Sequence, residues 1–192
     1  MLKLKKKISS LLKKASFLSK ESKSKYFYPL LENAFFKEDI FSAIEVLLSK
    51  KLTMGKITDE FEKNFCRFIG SKYAVMVNSG SSANLLAMFA SINPMRKNRA
   101  KYGDEVLLPS LCWSTSLWPI VQAGLKPKFI DINIKTLNVT ADEFIKNISK
   151  KTKIIMGVHV LGNSVEIDKI RDVCKKKKLI LIEDTCESLG SK

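Results

Sequence analysis

Short, mostly apolar runs recur along this chain with helix-length segments between them, and that alternation limits the folds open to it more than any other feature. The runs are Tyr73–Val77, Glu105–Leu108, Phe129–Ile132, Ile154–Val158 and Leu179–Ile182. A strand with one wet face alternates apolar and polar residues, whereas a strand buried on both faces is apolar throughout. Tyr73-Ala-Val-Met-Val77 and the four residues between Lys178 and Glu183 are of the second kind. Apolar residues at helical spacing predict helices over Glu38–Lys50, Ser81–Ile92, Leu117–Ala123, Ala141–Ser149 and Val165–Lys177, and another capped by Thr58 and stopped by Gly70. Strand and helix in turn predict an α/β fold with a mostly parallel sheet. A composition of 45% hydrophobic and 28% charged residues supplies the core that such a sheet needs.

Charge is distributed unevenly. Residues 1–25 hold nine lysines against one acid, Glu21, which is +8 of the formal +15 of the 192-residue chain. This segment reads as a basic amphipathic N-terminal extension, with Leu2, Leu4, Ile8, Leu11, Leu12, Ala15 and Leu18 among the lysines, and residues 26–192 read as the folded domain. Such a helix suits an anionic membrane surface, or is a solvated extension that packs on its own domain or on a partner. Because the excess lies in the tail, a nucleic-acid partner is not expected. Cys66, Cys112, Cys174 and Cys186 are too scattered for a zinc site, and the single His159 does not complete one, so no metal is expected. No run reaches the ~20 apolar residues of a membrane span, and no apolar signal core follows the lysines, so the expected location is cytoplasmic.

In parallel α/β sheets, ligands bind beyond the carboxyl ends of the strands. The residues that follow each run are therefore candidate site residues. Asn78-Ser-Gly-Ser-Ser-Ala83 is a strand, a glycine turn and a helix start. Open backbone N–H groups, the positive end of the helix dipole and the hydroxyls of Ser81 and Ser82 suit an anion, although a serine there also serves simply as a cap. Asp184 closes the last strand, where a carboxylate needs a cation or hydrogen-bond donors. A protonated ring nitrogen meets that need, as does a lysine or the following turn. Trp113 can cover a flat ring or pack as a lid, and His159 is either a site residue or a satisfied structural one. An anion cradle, an aromatic plate and a strand-end carboxylate, each after a different strand, are together the three holds for pyridoxal phosphate.

At these residues the chain resembles the DegT family of pyridoxal-phosphate sugar aminotransferases. The resemblance runs from about Lys50 to the end. It rests on Met54-Gly-Lys with Phe61-Glu62, Ser79-Gly-Ser-Ser-Ala83, Gly103-Asp-Glu-Val-Leu-Leu-Pro109, Trp113-Ser-Thr115, Gly124-Leu-Lys-Pro-Lys-Phe-Ile-Asp131 and Glu183-Asp184. Leu161-Gly-Asn163 and Glu183-Asp-Thr-Cys-Glu-Ser188 are similar to the branch that removes the 3-hydroxyl of a nucleotide-linked 4-keto-6-deoxyhexose for lipopolysaccharide O-antigen. The resemblance implies the large domain of an aspartate-aminotransferase-like enzyme of fold type I and a pyridoxal or pyridoxamine 5'-phosphate cofactor. It also implies a nucleotide-sugar substrate and a homodimer. It places Gly80, Ser81 and Ser82 on the cofactor phosphate, Trp113 on the ring, Asp184 on the pyridine nitrogen and Glu187 near the 3-hydroxyl.

The family's cofactor-bonding lysine, or the histidine that replaces it in the 3-dehydratases, is expected beyond residue 192. Residues 26–192 are thus expected to be an incomplete cofactor-binding domain, truncated before a C-terminal one and without turnover on its own. Aminotransfer and C3 dehydration both stay open. The alternative from another class is a non-catalytic binding module whose basic front helix contacts a membrane or an acidic partner.

Overall fold

A computed structural model describes residues 2–14, 26–27 and 35–191 of the chain. It divides into two compact units, Met1–Met76 and Val77–Lys192.

The first unit is helical. It contains α1 (Leu2–Lys14), α2 (Lys37–Ser49) and α3 (Lys56–Ile69). The rest of the basic segment, residues 15–25, lies outside the described residues. Asp39 in the first turn of α2 accepts a 2.7 Å hydrogen bond from the Phe36 N–H, satisfying one of the donors that a helix start leaves open. The third helix begins earlier than expected: Gly55 is its N-cap and Thr58 lies inside it. Gly70 ends it as expected, with φ 71° in the left-handed region where glycine carries no Cβ penalty. Phe61 and Phe65 stack with ring centroids 5.7 Å apart. Even so, neither α2 nor α3 buries a single residue.

Tyr73–Val77 forms no strand, contrary to the sequence reading. A continuous apolar run becomes a strand only when a neighbour takes its N–H and C=O groups, and among the described residues none does. Met76 N–H instead donates to the Glu62 carboxylate at 2.7 Å, and Tyr73 and Val75 are 75% and 65% exposed.

The second unit alternates helices and strands: α4 (Gly80–Ile92), β1 (Glu105–Pro109), α5 (Ser114–Gln122), β2 (Lys126–Ile130), α6 (Ala141–Asn147), β3 (Thr152–Val158), α7 (Ile167–Lys177) and β4 (Ile180–Asp184). The four strands form one sheet in the order β2-β1-β3-β4, and every neighbouring pair is parallel. Alternate residues of the buried strands supply two cores. Val106, Leu108, Ile154 and Met156 face one side with Met88 of α4 and Ile120 of α5. Leu107 and Ile155 face the other with Phe144 of α6 and Ile170 of α7. Each such fully buried side chain contributes about 1.5–3 kcal/mol.

β2 begins three residues before the expected start, because Lys126-Pro-Lys128 alternates as an edge strand does and hides the apolar-run signal. The chain passes from β1 outward to β2 and returns to β3 on the opposite side of β1. The carboxyl ends of β1 and β3 thereby flank a topological switch point, the place where such sheets bind ligands.

Candidate functional site

Asp184 sits at the carboxyl end of β4, 8% exposed, in register with Val158 of β3. Its Oδ2 accepts from Asn84 Nδ2 at 2.8 Å and from Ser116 Oγ at 3.0 Å, and its Oδ1 accepts from the Cys186 backbone N–H at 3.2 Å. Asn84 lies in the first turns of α4, and Ser116 in the first turn of α5. Burial alone would push the Asp184 carboxyl up, but the hydrogen bonds from Asn84, Cys186 and Ser116 outweigh it and hold the pKa below the ordinary carboxylate value. Among the described residues no basic side chain forms an ion pair with it. The result is a buried anion held by neutral donors. Next to it, burial and the Asp184 and Glu187 carboxylates push the Cys186 thiol up to about 11. All four cysteines are free.

The turn before α4 carries the second element. Ser79 is the N-cap, in extended conformation, and its Oγ accepts from Ser82 N–H at 3.2 Å. Its carbonyl takes the Ala83 N–H at 3.0 Å. First-turn amides have no partner within a helix, so those of exposed Gly80 and Ser81 stay open toward solvent. The cap is therefore Ser79, which leaves the Ser81 hydroxyl uncommitted. No atom lies within 4 Å of where a Cβ on Gly80 would stand.

Trp113, the N-cap of α5, is 74% exposed beyond the end of β1. It does not line the hollow of about 220 Å³ beside Ser81 and Ser82; Thr115 and Trp118 do. Glu187 Oε2 accepts from Leu161 N–H at 2.6 Å. This ties the turn after β4 to the turn after β3, where Leu161 has φ 54° and Gly162 φ 80°. Ser191 Oγ adds a 2.8 Å bond to the Gly162 carbonyl. The buried Asn138 fixes the same turn from the other side, donating to the Asn163 carbonyl at 2.7 Å and accepting from Val160 N–H at 3.0 Å. His159 is buried and satisfied: Nδ1 accepts from Val165 N–H at 3.2 Å, which leaves the ring proton on Nε2, 3.3 Å from Glu183 Oε2. No group of three or more metal-ligating side chains occurs among the described residues.

The three loops singled out in the sequence are thus joined at one end of the sheet. The helix after the serine turn and the helix after Trp113 both reach Asp184. Sequence reasoning missed the two residues that join them. Each left a trace. Asn84, Met88 and Ser91 occupy the inward stripe of α4, and Ser116, Pro119 and Ile120 that of α5. A polar residue on an apolar stripe needs a buried partner.

The family model described as DegT/DnrJ/EryC1/StrS aminotransferase family matches residues 34–192. Among curated proteins, the chain is 39% identical over 165 residues to GDP-4-keto-6-deoxy-D-mannose 3-dehydratase of Yersinia pseudotuberculosis, covering 86% of this chain and 42% of that protein. It is 40% identical over 149 residues to the lipopolysaccharide biosynthesis protein RfbH of Salmonella typhimurium, covering 77% and 34%. Among solved structures, the E. coli GDP-4-keto-6-deoxy-D-mannose-3-dehydratase with bound hydrated PLP superposes with a TM-score of 0.78 at 40% identity, covering 85% of this chain and 42% of that one. The chain therefore spans less than half the length of these relatives, and its parallel sheet with flanking helices has the fold of the part of that PLP-bound dehydratase it covers.

Proposed function

Since the chain belongs to the DegT/DnrJ/EryC1/StrS aminotransferase family, we propose that Val77–Lys192 binds pyridoxal or pyridoxamine 5'-phosphate at the carboxyl end of its sheet. The observation that carries this reading is Asp184, a buried carboxylate with three kinds of neutral donor and, among the described residues, no cation. A protonated pyridine nitrogen is the countercharge such a group lacks. The serine turn fits the other end of the cofactor. In a helix interior glycine costs about 0.5–1 kcal/mol relative to alanine; at Gly80, the first residue of α4, no packing contact requires glycine. Close approach of a phosphate to the backbone does require it.

In this reading Gly80, Ser81 and Ser82 would hold the phosphate, Trp113 would cover the ring, Asp184 would keep the ring nitrogen protonated and Glu187 would stand near the 3-hydroxyl. When bound, the cofactor supplies an electron sink for a substrate carbon that loses a proton. The chain's own residues bind and orient the ring, and Asp184 holds a proton at its nitrogen.

For the whole protein we propose action on a nucleotide-linked 4-keto-6-deoxyhexose in surface polysaccharide synthesis. C3 dehydration is favoured over aminotransfer, because the two relatives named as GDP-4-keto-6-deoxy-D-mannose 3-dehydratase reach 39–42% identity, against 37% for a GDP-perosamine synthase and 31–32% for those named as oxoglutarate or glutamate aminotransferases. A homodimer belongs to the same proposal. Its support is the exposed apolar surface of α4 around Leu85, Leu86 and Phe89, which lines a hollow of about 620 Å³. So does a cytoplasmic location, in keeping with the lack of any membrane-spanning helix among the described residues.

A second reading, weak contact with an anionic membrane, rests on α1, where Lys3, Lys6, Lys7 and Lys14 are exposed and Leu11 is exposed beside them. Sedimentation with anionic vesicles, lost when the four lysines become Ser, tests it.

The main test uses pyridoxamine phosphate, which lacks the aldehyde that would label surface lysines. Titration of the 192-residue protein followed by tryptophan fluorescence is expected to show saturable binding. Binding should weaken in Asp184→Ala and Ser81→Ala, and with pyridoxamine in place of its phosphate ester. Binding indifferent to all three changes would refute the assignment.

A further inference from the structure

We propose that Asn84 and Ser116 are positioning residues for Asp184: by donating to the same oxygen, Oδ2, from the starts of two different helices, they reserve Oδ1 for the ring nitrogen of the cofactor. The inference rests on the cofactor reading above and adds to it which residues aim the carboxylate and through which atom.

The geometry is specific. A carboxylate oxygen has two lone pairs. Those of Oδ2 are filled by Asn84 Nδ2 at 2.8 Å and Ser116 Oγ at 3.0 Å, whereas Oδ1, among the described residues, accepts one N–H, that of Cys186 at 3.2 Å. The Cys186 thiol also bears on the carboxylate, but a thiol is a weak donor that a charged N–H displaces. Asn84 and Ser116 are themselves 9% and 0% exposed, so water does not replace either donor. Their nitrogen and oxygen are fixed to two elements that follow the proposed phosphate and ring-face holds. The spacing between the holds is thereby set by hydrogen bonds that exist before any ligand arrives, which is the preorganisation that tight binding requires.

Loss of either donor removes one of the bonds that offset burial, so the carboxyl should titrate at higher pH. A purely structural role for the pair predicts a less stable protein without that change.

The test uses the full 192-residue chain and the variants Asn84→Ala, Ser116→Ala and Ser116→Thr. Carbon-13 NMR of the Asp184 carboxyl, recorded without cofactor, should show the titration moving upward in both alanine variants and staying in place in Ser116→Thr, which keeps the hydroxyl. Affinity for pyridoxamine phosphate should fall about tenfold in each alanine variant, the effect of one hydrogen bond to a charged group, and recover in Ser116→Thr. If Asn84→Ala does not fold, Ser116→Ala, which deletes one oxygen, carries the test. Wild-type binding accompanied by unchanged titration and affinity in the variants overturns this inference alone. Absence of binding by the wild-type protein overturns the cofactor reading beneath it.

Discussion

The two units are built from similar proportions of apolar residues but use them differently. In Val77–Lys192, β1 and β3 are almost wholly buried, and each face of the sheet is closed by two helices. In Met1–Met76, α2 and α3 carry Leu47, Ile57, Phe61 and Phe68 at helical spacing, and all four are exposed. Amphipathic pattern makes a helix; a second apolar surface makes a core. The first unit has the pattern, and only the second has both within its own described residues.

That contrast can be broken by mutation, and the largest effect should come from the sheet. Phe144→Ala is expected to lower stability by about 3–5 kcal/mol, whereas Phe61→Ala, at an exposed site, should stay below about 1 kcal/mol. Urea unfolding of the full chain, followed by tryptophan fluorescence, measures both. Equal losses would erase the distinction.

Next in size is Asp184. Its replacement by Ala strands the Asn84 and Ser116 donors at about 1–3 kcal/mol each. The pH dependence has a definite sign. A carboxyl held below its ordinary value of 3.8 adds stability that is complete above that value and lost as the pH falls below it. Unfolding free energies between neutral and acid pH should show this loss in the wild type, and it should shrink in Asp184→Asn.

Gly80→Ala should act in the opposite direction and more weakly. It is expected to stabilise the protein by up to about 1 kcal/mol while weakening pyridoxamine phosphate binding, an exchange of stability for function. A variant that gained stability and bound as well as the wild type would remove glycine from the phosphate argument. Smallest of all is Lys56→Ala in the first unit, which breaks an exposed pair with Glu60 at 3.8 Å. Thermal unfolding should not resolve it from the wild type, and added salt should change nothing.

Much of the second unit was legible because its own residues complete the pattern. Strands buried on both faces announce themselves, and the rule that ligands bind at carboxyl ends located the rim before any side chain was placed. Boundaries slipped where the signal changed character, as at Lys126-Pro-Lys128, which carries the alternation of an edge strand. Tyr73–Val77 failed for a deeper reason. A strand is a relation between two segments, and one segment's composition cannot state whether the other is present. At the site, Asp184 and the serine turn stood out by residue type and place. Asn84 and Ser116 did not, because their partner is 100 and 68 residues away. Trp118, which lines the hollow beside Ser81 and Ser82, lies inside α5 and not in the loop after β1, so no pattern in the sequence singles it out.

The unequal borders of the sheet have a consequence for growth. On its β2 side, Lys126 and Lys128 bring charge, and Pro127 has no N–H to offer a newcomer. Its β4 side, with Leu181 and Ile182 half-buried, has no proline and no lysine, and Glu183 is its one exposed charge. The layer is therefore directional, like a row that accepts new members at one end, and any additional strand that enlarges it should take its place alongside the strand that ends in Asp184.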